Sequence, residues 1–232
     1  MKTLGSALIG CMAWGVTLPM AQASDDFDGT YVSLSAGVVH QQLDYVWRWD
    51  YPDSGAWYDE IKGMSRTGGT ARLEVGHGFH LAPRFHLGLS GFADFGKRDL
   101  GHYTYAETSP PAYTYTTQAR LKNVRGLALE PGWALSANTL AYLRLGVTSG
   151  QVELTSTYQY ESQTELAAVS KRVRGATLGW GFKHTLTPHL FAGIEVSHTR
   201  YGKETVSLEQ GAERVDLRPR QTQGLVTLGY RF

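Results

Sequence analysis

The 232 residues carry 22 Lys and Arg against 21 Asp and Glu, and a net charge of +1 gives no electrostatic reason to expect nucleic acid as a partner. A mean hydropathy of −0.27, with 27 Gly and 13 Tyr, excludes a bundle of apolar transmembrane helices. Cys11 is the single cysteine, so neither an internal disulfide framework nor a cysteine metal site is expected.

The N-terminus is the one continuously apolar stretch. Lys2 supplies a positive start, Leu4 to Met20 an apolar run, and Ala21-Gln22-Ala23 a small-x-small cleavage pattern, so residues 1–23 read as a signal peptide and 24–232 as the mature domain. Leu8-Ile9-Gly10-Cys11 also matches a lipobox, but the apolar run before it, about eight residues, is at the short end for such a signal.

Beyond Ser24, segments of period two alternate with polar stretches. Eight such segments run over 29–40, 67–79, 85–96, 119–133, 140–153, 172–184, 190–201 and 221–232, each long enough for a tilted strand to cross a bilayer, which needs about 9 to 11 residues. Three connections are short, at 80–84, 134–139 and 185–189. Four are long, near 41–66, 97–118, 154–171 and 202–220. Short periplasmic turns and long extracellular loops give that alternation, with both termini in the periplasm, and the predicted fold is all-β: a closed antiparallel transmembrane barrel of eight strands.

Parity assigns the faces. Val32, Leu34, Ala36 and Val38 face lipid while Ser33, Ser35 and Gly37 face inward; Leu73, Val75 and Phe79 oppose Arg72, Glu74, Gly76 and Gly78 in the second segment. The third sets Leu87 and Leu89 against His86, Gly88, Ser90 and Asp94. The inward ionisable set is then Arg72, Arg144, Lys183 and Arg231 with Glu74, Asp94, Glu130 and Glu195. Four charges of each sign suit a dry, closed lumen, because an unpaired buried charge is costly. Glu130 and Arg144 lie across one short turn and are expected to pair.

Two arginines, Arg125 and Arg174, break the apolar parity near the outer headgroup level. Either they join Lys171 and Arg172 as a rim that grips lipopolysaccharide phosphates, or a β-bulge turns them into the lumen. Aromatic residues crowd the long connections: Trp47, Trp49 and Trp57 in the first, and Tyr103, Tyr105, Tyr113 and Tyr115 on either side of Pro110-Pro111 in the second, which reads as a hairpin. Rings supply large contact area at low entropic cost, and the same residues also favour strand pairing.

The last segment alternates Val226, Leu228, Tyr230 and Phe232 up to a C-terminal aromatic residue. Together with Gly76-His77-Gly78-Phe79 before a Pro turn, Leu87-Gly88-Leu89 after it, and the eight-strand spacing, this ending resembles the opacity-protein and related surface-antigen family of small outer-membrane β-barrels. The resemblance covers 24–232. It implies the outer membrane as location, outer-membrane lipid and lipopolysaccharide as surroundings, and Tyr230 with Phe232 as the signal read by the outer-membrane assembly machinery, from which Thr227 departs where a glycine is usual. It implies no cofactor and no catalytic motif.

The expected role is that of a structural or surface-interaction barrel, adhesin-like, offering aromatic-rich loops to an extracellular receptor. A narrow pore or small-molecule transport barrel is the alternative, and a lipid A-modifying enzyme a more distant one. No His-x-Ser triplet occurs, and the adjacent Ser197 and His198 fall on opposite faces of a strand. His77 and His80 flank a turn that contains no carboxylate, so no metal site is expected there.

Overall fold

The computed structural model describes residues 27–51, 55–96, 99–109, 112–160, 163–208 and 213–232; the expected signal peptide lies outside the described residues. Ten strands follow in chain order: β1 (Gly29–Tyr51), β2 (Gly55–Ala82), β3 (Phe85–Phe95), β4 (Asp99–Glu107), β5 (Tyr113–Ser136), β6 (Thr139–Tyr160), β7 (Gln163–Thr187), β8 (Leu190–Tyr201), β9 (Glu204–Leu208) and β10 (Glu213–Arg231). Eight of them close an antiparallel ring in the order β1-β2-β3-β5-β6-β7-β8-β10, with β10 returning to β1 from Tyr31↔Arg231 to Trp49↔Glu213. Closure removes the free sheet edge that an open eight-stranded sheet would expose. β4 pairs only with β5 and β9 only with β10, above the ring.

Two-residue turns, Pro83-Arg84, Ala137-Asn138 and Pro188-His189, join the strands at one end. At the other end the structure differs from the expected loops. β1 and β2 remain paired out to Tyr51↔Gly55, and β6 and β7 out to Tyr160↔Gln163. The Tyr, Trp and Thr of these stretches also favour strands, and pairing satisfies the backbone within the hairpin. The 28 residues of β2 therefore carry the wall far beyond the roughly 10 needed to cross a bilayer.

Around the outside runs an apolar belt: Leu34 and Val38 are each 61% exposed, with Leu73, Leu89, Leu127, Leu145, Leu178, Ile194 and Val226 alongside. The inside is the reverse, holding buried Arg72, Glu74, Asp94, Glu130, Arg144 and Glu195. Apolar outside and charged inside is the inverse of a water-soluble domain and fits a lipid surround.

The interior is layered. Nearest the short turns is a charged layer. Next comes a polar layer, in which Thr148, Thr177 and Thr199 form a hydroxyl chain at 2.7 and 2.8 Å beside Gln41, Gln221 and Gln223. Toward the long hairpins lies an apolar core built from Leu43, Leu100, Leu121, Val152, Val173 and Leu217. One irregularity positions that core. The β5 register shifts between Lys122 and Arg125, where Asn123 takes φ 53°. Thr117, Ala119 and Leu121 point inward before this bulge and Val124, Ala128 and Glu130 after it, so the inward parity switches from odd to even.

Candidate functional site

Arg144 is the centre of the charged layer. Its Nη1 donates to Glu130 Oε1 at 2.7 Å and to Glu195 Oε2 at 3.1 Å, and its Nη2 donates to Glu74 Oε2 at 2.6 Å. Arg72 forks onto Asp94, its register partner on β3, at 2.6 and 3.2 Å, and reaches Glu195 at 2.9 Å. Lys183 Nζ donates to Glu130 Oε2 at 2.6 Å. Three cations and four carboxylates thus share one network, with every carboxylate accepting at least one charge-assisted bond.

Sequence reasoning missed the aromatic and hydroxyl groups that complete this layer. Tyr31 donates toward Glu74 and Glu130 at 3.3 Å each, and Tyr142 donates to Glu195 at 3.1 Å. Phe92 lies beneath both guanidinium groups, 4.3 Å from Arg72 and 4.8 Å from Arg144. All three occupy inward parity, so counting rings as well as charges on that parity would have found them. The space left beside the network measures ≈ 10 Å³, about one water. Gly76 and Gly229 leave the room that the Tyr31 and Phe191 rings fill.

Arg231 is placed apart from that layer. It shares the inward parity but sits at the short-turn mouth, where its guanidinium donates to the Pro188 carbonyl at 2.5 Å. Parity gives a residue's face and not its height, and the height separates Arg231 from the other seven.

The aromatic residues of the long hairpins divide. Trp47 and Tyr103 are half-buried against the apolar core, and Trp47 meets Tyr115 edge-on at 5.6 Å across the mouth. Farther out, Tyr105, Tyr113 and Tyr158 form a ladder with centroids 5.9 and 5.5 Å apart, and Tyr105 and Tyr158 are exposed. Tyr158 was not singled out from the sequence. The side chains of Trp49 and Trp57 lie outside the described residues.

Arg125 and Arg174 both point outward and are exposed. The bulge at Lys122–Arg125 exists, but it turns Val124 inward and leaves Arg125 on the wall. Ser149 stands in register between the two arginines, opposite Arg125 on one side and Arg174 on the other. Arg200 on β8 extends the row. All three border one shallow apolar groove on the outer wall with Leu73, Val75 and Leu127. Among the described residues none of the three arginines has an ion pair within 4 Å.

Tyr230 and Phe232 project from the outer face at the short-turn end, with rings edge-on at 5.1 Å, and His189 stacks on Tyr230 at 5.7 Å. Ser197 is buried inside while His198 lies outside, bonded to Thr222 at 2.9 Å, so the two form no nucleophile and base. His77 is likewise outside, bonded to Thr30 at 2.9 Å.

Several solved structures are similar to this chain at low identity. The attachment invasion locus protein Ail of Yersinia pestis, in complex with the heparin analogue sucrose octasulfate, is 11% identical with a TM-score of 0.40, over 88% of this chain and 99% of its own. Neisserial surface protein A gives 10%, 0.42, 88% and 97%. The outer membrane protease OmpT of Escherichia coli gives 10%, 0.43, 89% and 97%. No curated protein matches the chain in sequence. The model of the outer membrane protein beta-barrel domain matches residues 9–232, and with its closed ring and apolar belt the chain belongs to that family as an integral protein of the outer membrane.

Proposed function

We propose that the protein is a structural and surface-interaction barrel that offers its extracellular crown to a receptor outside the cell, and that it neither carries solutes through its lumen nor catalyses a reaction. The observation that carries this reading is the Tyr105–Tyr113–Tyr158 ladder, exposed at Tyr105 and Tyr158, standing on paired hairpins above an apolar core and a charged layer that leaves ≈ 10 Å³ beside it. Rigid rings held on paired strands lose little entropy on binding, which is how aromatic contact surfaces gain affinity. An interior packed with ion pairs below and apolar side chains above offers no continuous path for a solute.

Two further partners belong to this reading. The outward row of Arg125, Arg174 and Arg200 contacts lipopolysaccharide phosphates, and Tyr230 with Phe232 is recognised by the outer-membrane assembly machinery. The experiment for the crown is binding of cells displaying the protein to immobilised extracellular matrix and to epithelial cells. The triple substitution Tyr105→Ser, Tyr113→Ser, Tyr158→Ser at equal surface density is expected to lower binding at least about tenfold, the loss of ~1.4 kcal/mol. Equal binding by the triple variant, or by cells lacking the protein, overturns the proposal.

A further inference from the structure

We infer that the periplasmic mouth of the barrel holds a site for a divalent first-row transition metal of the zinc class, with Asp28, His80 and His86 as its protein ligands. The three donor atoms lie within 4.8 Å of one another. His80 and His86 are register partners on either side of the Pro83-Arg84 turn, and both take the inward parity of their strands. Directly opposed positions on one face bring their side chains together, and the two rings stand edge-on at 4.9 Å. The turn itself has no carboxylate. The fold supplies one from Asp28, in the segment entering β1, which the closure of β1 onto β2 lays across the mouth.

Asp28 Oδ1 lies 3.1 Å from His86 Nδ1, and Asp28 Oδ2 lies 4.0 Å from His80 Nδ1. Tetrahedral bonds of about 2.0–2.1 Å separate neighbouring donor atoms by about 3.3 Å, so the three groups, within 4.8 Å of one another, need only draw together around an ion. Tethering the N-terminal segment would need only the His86 hydrogen bond. The His80 Nδ1 is buried with no hydrogen-bond partner among the described residues, its nearest carboxylate oxygen, Asp28 Oδ2, standing beyond hydrogen-bonding reach at 4.0 Å. A cation between the three groups satisfies it. His86 is 2% exposed and its ring packs edge-on to Phe27 at 5.7 Å, which fixes its orientation.

Two imidazole nitrogens and one carboxylate oxygen form a borderline donor set. It favours zinc, cobalt, nickel or copper over calcium or magnesium, which prefer all-oxygen cages. Three protein ligands leave coordination positions for water or a further donor. Bound metal would cross-link the segment before β1 to the β2–β3 hairpin.

The test uses the mature barrel refolded in detergent, free of any histidine tag, titrated with cobalt(II) by visible absorption and with zinc(II) by calorimetry. The expected result is one high-affinity equivalent with a d–d spectrum of low coordination number. His80→Gln leaves the Asp28–His86 hydrogen bond in place and is expected to weaken binding on the order of 100-fold while the heat-modifiable gel mobility of a folded barrel is kept. Asp28→Asn is expected to do the same, and His198→Gln, on the outer wall, to change nothing. The proposal is overturned if the unsubstituted barrel gives neither spectrum nor heat of binding. It is equally overturned if a folded His80→Gln or Asp28→Asn variant binds as tightly as the original, which would assign the metal to other histidines.

Discussion

Arg144 of β6 donates to Glu74 of β2 across the lumen at 2.6 Å, joining strands that have β3 and β5 between them in the ring. The same guanidinium bonds Glu130 and Glu195, so one side chain braces three walls. Arg144→Ala would leave three carboxylates facing one another in a buried layer. Breaking a buried pair by removing one partner costs about 3–5 kcal/mol, and denaturant unfolding in detergent should lose at least that much. A loss below about 1 kcal/mol would mean that the layer is wetter than its geometry implies.

The outward arginines should hold lipid. Charge on the lipid face costs about 2–4 kcal/mol at the bilayer midplane and little near the interface, so the proposed contact requires the three exposed arginines, without ion pairs among the described residues, to stand at the level of the outer-leaflet phosphates. Arg125→Ala with Arg174→Ala and Arg200→Ala should lower the lipopolysaccharide retained per barrel on detergent purification by at least half. Unchanged retention would reduce the row to ordinary surface charge.

What the sequence made legible was the ring itself. Leu34 against Ser35 and Leu73 against Arg72 show period two directly, and the Pro turns mark the short ends. The rest was hidden for physical reasons. Polarity marked 41–66 and 154–171 as loops although their Thr and Tyr also pair as strands. Trp47 and Tyr103, counted as contact surface, are partly used to cap the apolar core. The parity switch at Asn123 depends on a single left-handed residue in an otherwise regular strand. Asp28 reaches His80 and His86 only because β1 pairs with β2 at Gly29↔Gly78, nearly fifty residues apart, which no local spacing announces.

Asp216 should make the β9–β10 hairpin sensitive to acid. Burial raises its carboxyl, but Lys203 Nζ at 2.8 Å, the Thr205 hydroxyl at 2.6 Å and Arg48 at 3.6 Å outweigh that and hold it below the ordinary carboxylate range. A depressed folded value contributes stability that is full above the unfolded value, about 3.9, and is lost as pH falls through the folded value. Amide exchange in 204–208 and 214–217, corrected for intrinsic rates, should accelerate below about pH 4. Asp216→Asn should flatten that dependence, and an identical profile in the variant would move the acid sensitivity elsewhere.

Phe232 should matter more for assembly than for the finished barrel. Its ring is 75% exposed and touches Tyr230 at its edge, whereas its backbone N–H donates to the Thr30 carbonyl at 3.0 Å. Phe232→Ala keeps the backbone bond and removes little buried area. The variant should accumulate in the periplasm, while the fraction that does insert unfolds within about 1 kcal/mol of the original. Normal outer-membrane yield with a lowered melting temperature would make the ring a structural element only.

Single-channel recording in planar bilayers tests the sealed interior most directly, because an exclusively surface role follows only if nothing flows through the lumen. The charged layer around Arg144, the Thr148–Thr177–Thr199 chain and the apolar core above them predict no steady open conductance from the unsubstituted protein. Large, stable currents in that protein would contradict the account.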